Sequence, residues 1–254
     1  PVKKKIENIP SPYLSGYLDE FLKAGFVPLL ETNRGCPFRC TFCGWGAAAK
    51  NKITRFSIDT VLKEISYVGK IAKGARNWII CDANFGMLPR DIEIAKEIRK
   101  VKDETGYPYK CHLWLAKNVT ERNFQVADIL SEMIVPVMAV QSLDDEVLKI
   151  IKRDNISKET YIEYNDKFKK IGTETFSELI VPLPGETLET HKNSLKSLFN
   201  YGCDIIFSHN LRMLAGTEVN SDKTRETYQF RTRYRLIHGD AGMYKCPDGS
   251  EISA

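Results

Sequence analysis

The chain has 254 residues, 43% of them hydrophobic, enough to bury a sizeable core as one large domain or two small ones. Its 37 basic and 33 acidic residues leave a formal charge of +4, too mild for a nucleic-acid-binding surface, and no basic stripe with interleaved aromatics occurs. No run approaches the roughly 18 apolar residues of a membrane span, and no apolar signal segment follows the lysines at the start, so a cytoplasmic protein without a membrane span is expected.

In chain order, Lys3, Lys4 and Lys5 form a solvated run, and Pro10 and Pro12 keep residues 9–13 extended and turn-prone. Residues 17–22 suit a short helix, and residues 1–26 as a whole read as a linker or arm. From Val27 onward short apolar runs alternate with amphipathic stretches of helical period, the pattern of repeated βα units and a parallel sheet. A first strand, 27–32, runs into a loop with three cysteines. A helix over 57–72 follows, with Ser57 as its expected cap and Ile58, Val61, Leu62, Ile65 and Val68 on one face. Residues 77–81 read as a second strand buried on both faces. Then come a helix (91–103), a third strand (109–116), a helix (121–132), a fourth strand (136–141) and helices over 144–152 and 157–171. A fifth strand (175–181), a helix (186–201) and a sixth strand (204–210) complete the pattern. The six units predict an α/β fold, an open, partial (β/α)6 barrel over residues 27–217, with an irregular tail or small cap over 218–254. In such a barrel the ligand site lies at the carboxyl ends of the strands, where the cysteine loop falls.

Cys36, Cys40 and Cys43 lie within eight residues on a polar loop with Gly35, Pro37 and Arg39. Thiolates spaced this closely can converge on one inorganic centre, and three soft ligands leave a coordination position open. A closed structural zinc site needs four ligands, and no second cysteine pair or His-x-x-x-His follows. The other cysteines, Cys81, Cys111, Cys203 and Cys246, are scattered, which argues against a disulfide framework and agrees with a reducing compartment. Buried inert cysteines suit an Arg-containing polar loop poorly. The spacing favours a 4Fe-4S cluster on three cysteines.

The run Cys36-x-x-x-Cys40-x-Phe42-Cys43, with its aromatic before the last cysteine, resembles the signature of the radical S-adenosylmethionine (SAM) superfamily. The resemblance implies that the amino and carboxylate groups of SAM chelate the open iron, with Phe42 near adenine. Reductive cleavage then yields methionine and a 5′-deoxyadenosyl radical. The longer string over residues 31–43 is similar to the subgroup with an upstream cobalamin-binding domain, and Pro10-Ser11-Pro12-Tyr13 is similar to the segment that follows that domain. This chain accordingly begins about where such a domain ends, as a piece of a longer enzyme or as a member lacking it. The implied cofactors are the cluster, SAM and, through a domain outside this chain, cobalamin. The implied activity is cobalamin-linked methylation or a related carbon-skeleton step on a small-molecule substrate, with electrons from a reducing partner such as a flavodoxin or ferredoxin. Two alternatives are a cobalamin-independent enzyme that only abstracts hydrogen, and a non-catalytic iron-sulfur carrier.

The other strand ends carry further candidates. After the second strand, Asp82 or Asn84 is placed to accept from the methionine ammonium group, although Asp and Asn there also suit a simple turn. His112 lies inside the third strand, where a lone histidine is more often structural than catalytic. By the resemblance, Gln141 and Ser142 lie near the ribose and carboxylate of SAM, while Ser142 alone also suits a helix cap. Ile180 is the expected apolar contact to adenine, with Pro182 standing where relatives often have glycine. Leu211 and Arg212 belong to the last strand-end segment, whose backbone meets adenine, and Arg212 suits either a carboxylate or a surface ion pair.

Overall fold

Burial alternates along the strands in a way that decides the architecture. The computed structural model describes residue 6, residues 9–45, 52–118 and 121–233, and the backbone of 243–245 and 251–253. Lys3, Lys4 and Lys5 lie outside the described residues. In β4 (Asn77–Ile80), Trp78 and Ile80 are fully buried while Asn77 is exposed and Ile79 half-buried. The strand expected to be buried on both faces is thus buried on one, because the helices pack on one side of the sheet only. Its other face is open, as Leu29, Trp114 and Phe207 show by being half exposed.

The strands form two parallel groups. β1 (Leu29–Leu30), β4 and β5 (Lys110–His112) pair in the order β1-β4-β5, with Leu29 opposite Ile79 and Ile79 opposite His112. β6 (Phe176–Val181) and β7 (Ile205–Asn210) pair along their full lengths. The fourth expected strand is not a regular strand. Residues 136–141 are joined to β6 only by two isolated bridges, Val137 to Phe176 and Gln141 to Leu179. Pro136 contributes no N–H to a ladder, and Gln141 turns away at φ 67°, so regular pairing cannot extend at either end.

The helices α2 (Ile58–Ile71), α3 (Asp91–Thr105), α4 (Glu121–Leu130), α6 (Lys158–Lys170) and α7 (Leu188–Asn200) lie close to their expected places. Their apolar faces meet the buried strand positions in one core that includes Ile65, Trp78, Ile98, Tyr161 and Phe168. Capping differs in detail. Ser57 precedes α2 but makes no side-chain cap bond, whereas Ser157 caps α6 and Thr187 closes a capping box on α7. At the start, α1 (Asp19–Lys23) follows an arm pinned to the sheet by Tyr13, whose hydroxyl both donates to and accepts from the backbone of Leu29. The tail is more ordered than its composition suggests. A 3-10 turn at Glu218–Asn220 precedes α8 (Asp222–Thr227), and β8 (Met243–Lys245) pairs antiparallel with β9 (Glu251–Ser253). Among the described residues no helix is long and apolar enough to cross a membrane.

Gly69 sets the approach of α2 to α3. A Cβ added there would come 2.2 Å from Cγ1 of the buried Val101. Gly69→Ala is therefore expected to destabilise the fold by about 1–3 kcal/mol through overpacking, outweighing a gain of about 1 kcal/mol in helix propensity. Denaturant unfolding of Gly69→Ala, Val101→Ala and the double variant checks this: the double variant should recover much of the loss, and strict additivity would refute the contact.

Candidate active site

The cysteine loop is held at both ends before any ligand is considered. At its entrance, the Asp82 carboxylate accepts from Thr32 N–H at 2.8 Å, Asn33 N–H at 3.2 Å, Asn33 Nδ2 at 2.6 Å and the Thr32 hydroxyl. These fill the four acceptor positions a carboxylate offers. β2 (Asn33–Arg34) then pairs antiparallel with β3 (Thr54–Arg55), so the loop leaves and returns through one two-stranded neck. Arg90 crosses that neck by donating to Phe56 O at 2.6 Å and Thr32 O at 3.3 Å. Midway, Thr41 donates its N–H to Ile151 O just past α5 (Asp145–Ile150), and its carbonyl accepts from Val219 N–H, both at 3.0 Å. The stretch from residue 218, expected to be an irregular tail or small cap, thus helps to clamp the loop.

Within this frame Cys36 and Cys40 are buried and Cys43 is half-buried, all as free thiols. Cys36 Sγ accepts from Asn84 Nδ2 at 3.1 Å, and Cys40 Sγ accepts from Lys117 Nζ at 3.3 Å. Arg153 is 4% exposed and lies beside Cys40 and Cys43; burial pulls its guanidinium pKa down, and the neighbouring thiols oppose that shift. Two cations thus stand beside two of the thiols. By contrast Cys111 sits in the core, where burial alone pushes its thiol up to about 12. Among the described residues no group of ligating side chains converges on a single ion position. A polynuclear cluster does not ask for that, because each thiolate binds a different iron and the sulfurs stay further apart than around one ion.

The loop opens onto a cavity of about 410 Å3. Cys43, Lys117 and Arg153 lie at its thiol end, Ile79, Trp114, Val137 and Ala139 form apolar wall, and Gln141 and Glu178 supply polar groups. Phe42 also lines it and packs with Ile180 and Leu211 around a small second core made by Val147, Ile151 and Leu183. Gln141 is buried and held in the left-handed region. That conformation costs energy for a non-glycine residue, and here the backbone bonds to Glu178 O and from Ile180 N–H hold it.

Residues 30–198 match the family model described as the Radical SAM superfamily. The chain belongs to this superfamily. It is 31% identical over 238 residues to the cobalamin-dependent radical SAM methyltransferase TokK of Streptomyces tokunonensis, covering 90% of this chain and 35% of that protein. It is equally 31% identical over 239 residues to a 2-(S-pantetheinyl)-carbapenam-3-carboxylate methyltransferase of Streptantibioticus cattleyicolor, again covering 90% and 35%. The chain therefore spans about a third of the length of these curated relatives. In fold it resembles TsrM of Kitasatospora setae, a radical SAM methyltransferase solved with tryptophan and a SAM analogue, at TM-score 0.66 and 17% identity over 95% of this chain and 46% of that one. It also resembles the cobalamin-dependent enzyme OxsB, at TM-score 0.58 and 19% identity over 88% and 32%.

Set in this radical SAM fold, the residues expected from the strand ends fall in different places. Phe42, Asp82 and Gln141 line the cavity with Cys43, and Ile180 and Leu211 join it through Phe42. Asp82, expected to have an acceptor to offer, has all of its positions taken by Thr32 and Asn33, whereas the buried Asn84, beside Cys36, keeps Oδ1 without a partner among the described residues. Ser142 is fully buried but caps nothing; it accepts from Asp144 N–H, and it is Asp144 that caps α5. Arg212 is exposed and lies outside the cavity lining. His112 is exposed on the open sheet face and is no core histidine. Arg153 was not legible beforehand: nothing in the sequence around it distinguishes it from the neighbouring Lys152, and only the fold turns it inward. Glu178 likewise marked a strand and proves to line the cavity, 3.3 Å from His209 Nε2 on the next strand.

Asp82 is the testable joint of this arrangement. Asp82→Ala strands four donors in a buried site, and a loss of about 2 kcal/mol or more is expected in denaturant unfolding of the metal-free protein. Burial, opposed by those hydrogen bonds, pushes the Asp82 carboxyl up to about 6. The folded protein thus keeps this proton to higher pH than the unfolded chain. The contribution is fully present below the ordinary Asp value of about 4 and is lost as pH rises through the folded value. The stability difference between wild type and Asp82→Asn should accordingly shift against wild type across that window, and a flat difference would contradict it.

Proposed function

We infer that this chain is the catalytic segment of a radical SAM enzyme that holds a 4Fe-4S cluster on Cys36, Cys40 and Cys43. The observation that carries the reading is the cavity into which that loop opens, cationic at its thiol end and apolar along its walls. When bound, the cluster supplies an electron for reductive cleavage of SAM at its sulfonium. The residues present fit the two cofactors. Lys117 and Arg153 offset the negative charge of thiolate-bound iron, and Arg153 also offers guanidinium hydrogens to a carboxylate. The free Oδ1 of buried Asn84 suits an ammonium group. Gln141 suits ribose hydroxyls, and Phe42, Ile180 and Leu211 suit the faces of adenine. Apolar wall excludes water and other quenchers of a radical.

The relatives support a more specific reading for the whole protein: cobalamin-linked methyl transfer, or a related carbon-skeleton step, on a small-molecule substrate, with cobalamin carried by an upstream domain. In this reading residues 1–26 are the arm from that domain, 27–217 an open six-unit (β/α) barrel, and 218–254 a cap that braces the cysteine loop. A small reducing protein such as a flavodoxin or ferredoxin supplies electrons.

Anaerobic reconstitution with iron and sulfide, then reduction with SAM present, tests the core reading. It should release 5′-deoxyadenosine and methionine; a normal cluster that leaves SAM intact overturns it. Cys40→Ala should lose the cluster, read as iron content and visible absorbance, and a variant with full iron would refute the ligand assignment. Arg153→Met should weaken SAM binding to the oxidised protein by about tenfold or more, with Arg153→Lys intermediate, since a charge-assisted hydrogen bond is at stake.

A further inference from the structure

We propose that the outer face of the cysteine loop, centred on Arg39 and Lys152, is the docking site for a small acidic one-electron carrier protein. The proposal rests on the cluster reading above and names the surface through which its electron arrives.

Two cavities lined by described residues reach the cysteine loop. One is the cavity at Cys43. The other is a separate recess of about 220 Å3 on the far side of Lys117 and Arg153, lined by Pro37, Phe38, Arg39, Lys152 and Asp154 with Cys40 at its floor. Cys40 itself is only 3% exposed, yet it lines this recess. Electron transfer requires close approach of the two redox centres. The recess brings Cys40 together with Pro37 and Arg39, which are exposed on the protein surface, so a partner seated on those two residues lies next to a cluster ligand.

The charge of the recess selects the partner. Arg39, Lys117, Lys152 and Arg153 face one carboxylate, Asp154, in a chain whose whole excess is only +4. Lys149 and Lys158 continue the basic strip along the adjoining groove, where Asp145 is the further acid. These cations are not equally available. Lys117 turns inward, on Cys40 Sγ and over the Phe38 ring. Lys152 holds Glu218 at 2.7 Å and Lys149 holds Glu146 at 2.5 Å, all four side chains being well exposed, so both pairs are weak and exchangeable. Arg39 is exposed and enters no ion pair among the described residues. Exposed Pro37 and half-buried Phe38 give the centre an apolar floor. An apolar centre within a charged rim is the anatomy of a transient protein interface, and complementary charge mainly speeds encounter.

The test uses the cluster-loaded chain under anaerobic conditions, with photoreduced flavodoxin as the acidic protein donor and photoreduced deazariboflavin as a small uncharged one. Stopped-flow bleaching of the cluster absorbance reports electron arrival without reference to any substrate. Arg39→Glu and, independently, Lys152→Glu should each slow reduction by flavodoxin about tenfold or more at low salt and flatten its salt dependence. Both should leave reduction by deazariboflavin unchanged. Arg39→Gln, a gentler change to the loop, should give a smaller loss with the same selectivity, and flavodoxin affinity for the oxidised protein should fall in parallel. Wild-type rates in both charge reversals, or equal slowing with both donors, overturn the proposal. A wild-type chain without a reducible cluster overturns the cofactor reading and this one together.

Discussion

A buried carboxylate fixes the point where the first strand gives way to the cysteine loop. Asp82 accepts from both backbone and side-chain donors of Thr32 and Asn33, and those two residues are the last before the loop departs. Because Asp82 follows the end of β4 by only two residues, the register of β1 on β4 sets where the thiols begin. Burial of a carboxylate is costly unless its acceptors are filled, and here they are filled by the groups that need positioning. The clamp therefore stabilises one geometry of the loop entrance over all others. Thr41, held between Ile151 and Val219, repeats this at the loop's centre with backbone groups alone.

On that frame, electrostatics gives the site its polarity. Lys117 and Arg153 lie at the thiols, while Glu178 and Gln141 lie further along the same cavity. A buried arginine is tolerated because Ala139, Val140 and Asn155 accept its hydrogens. The same two cations line both the cavity and the outer recess.

The sheet serves the site by staying open. Helices cover one face, where Trp78, Ile80 and Leu179 are fully buried, and leave the other face to the cavity, where Ile79, Trp114 and Glu178 point. The break at residues 136–141 belongs to the same economy of contacts. Only two bridges tie this segment to β6, yet they suffice to bring Gln141 to the cavity in a conformation that a regular strand would not permit.

Much of this was written in the linear chain. The period of apolar residues placed five major helices and most strands, and the spacing of Cys36, Cys40 and Cys43 with Phe42 identified the family, because both depend on residues close in sequence. Features that depend on distant partners were not legible. The periodicity of β4 does not say that its second face looks into a cavity. Ser57, Asp82 and Ser142 have the chemistry of their expected roles, but hydrogen-bond geometry took them elsewhere or filled them. Arg153 became a site residue only when α5 turned it toward Cys40, and the stretch around Val219 became part of the loop's support only by packing back onto Thr41. The sequence by itself determined the family, since the type and spacing of the three cysteines are local. Tertiary structure decided which residues have an acceptor, a charge or a surface still to offer, since that depends on neighbours up to 178 positions away, as between Thr41 and Val219.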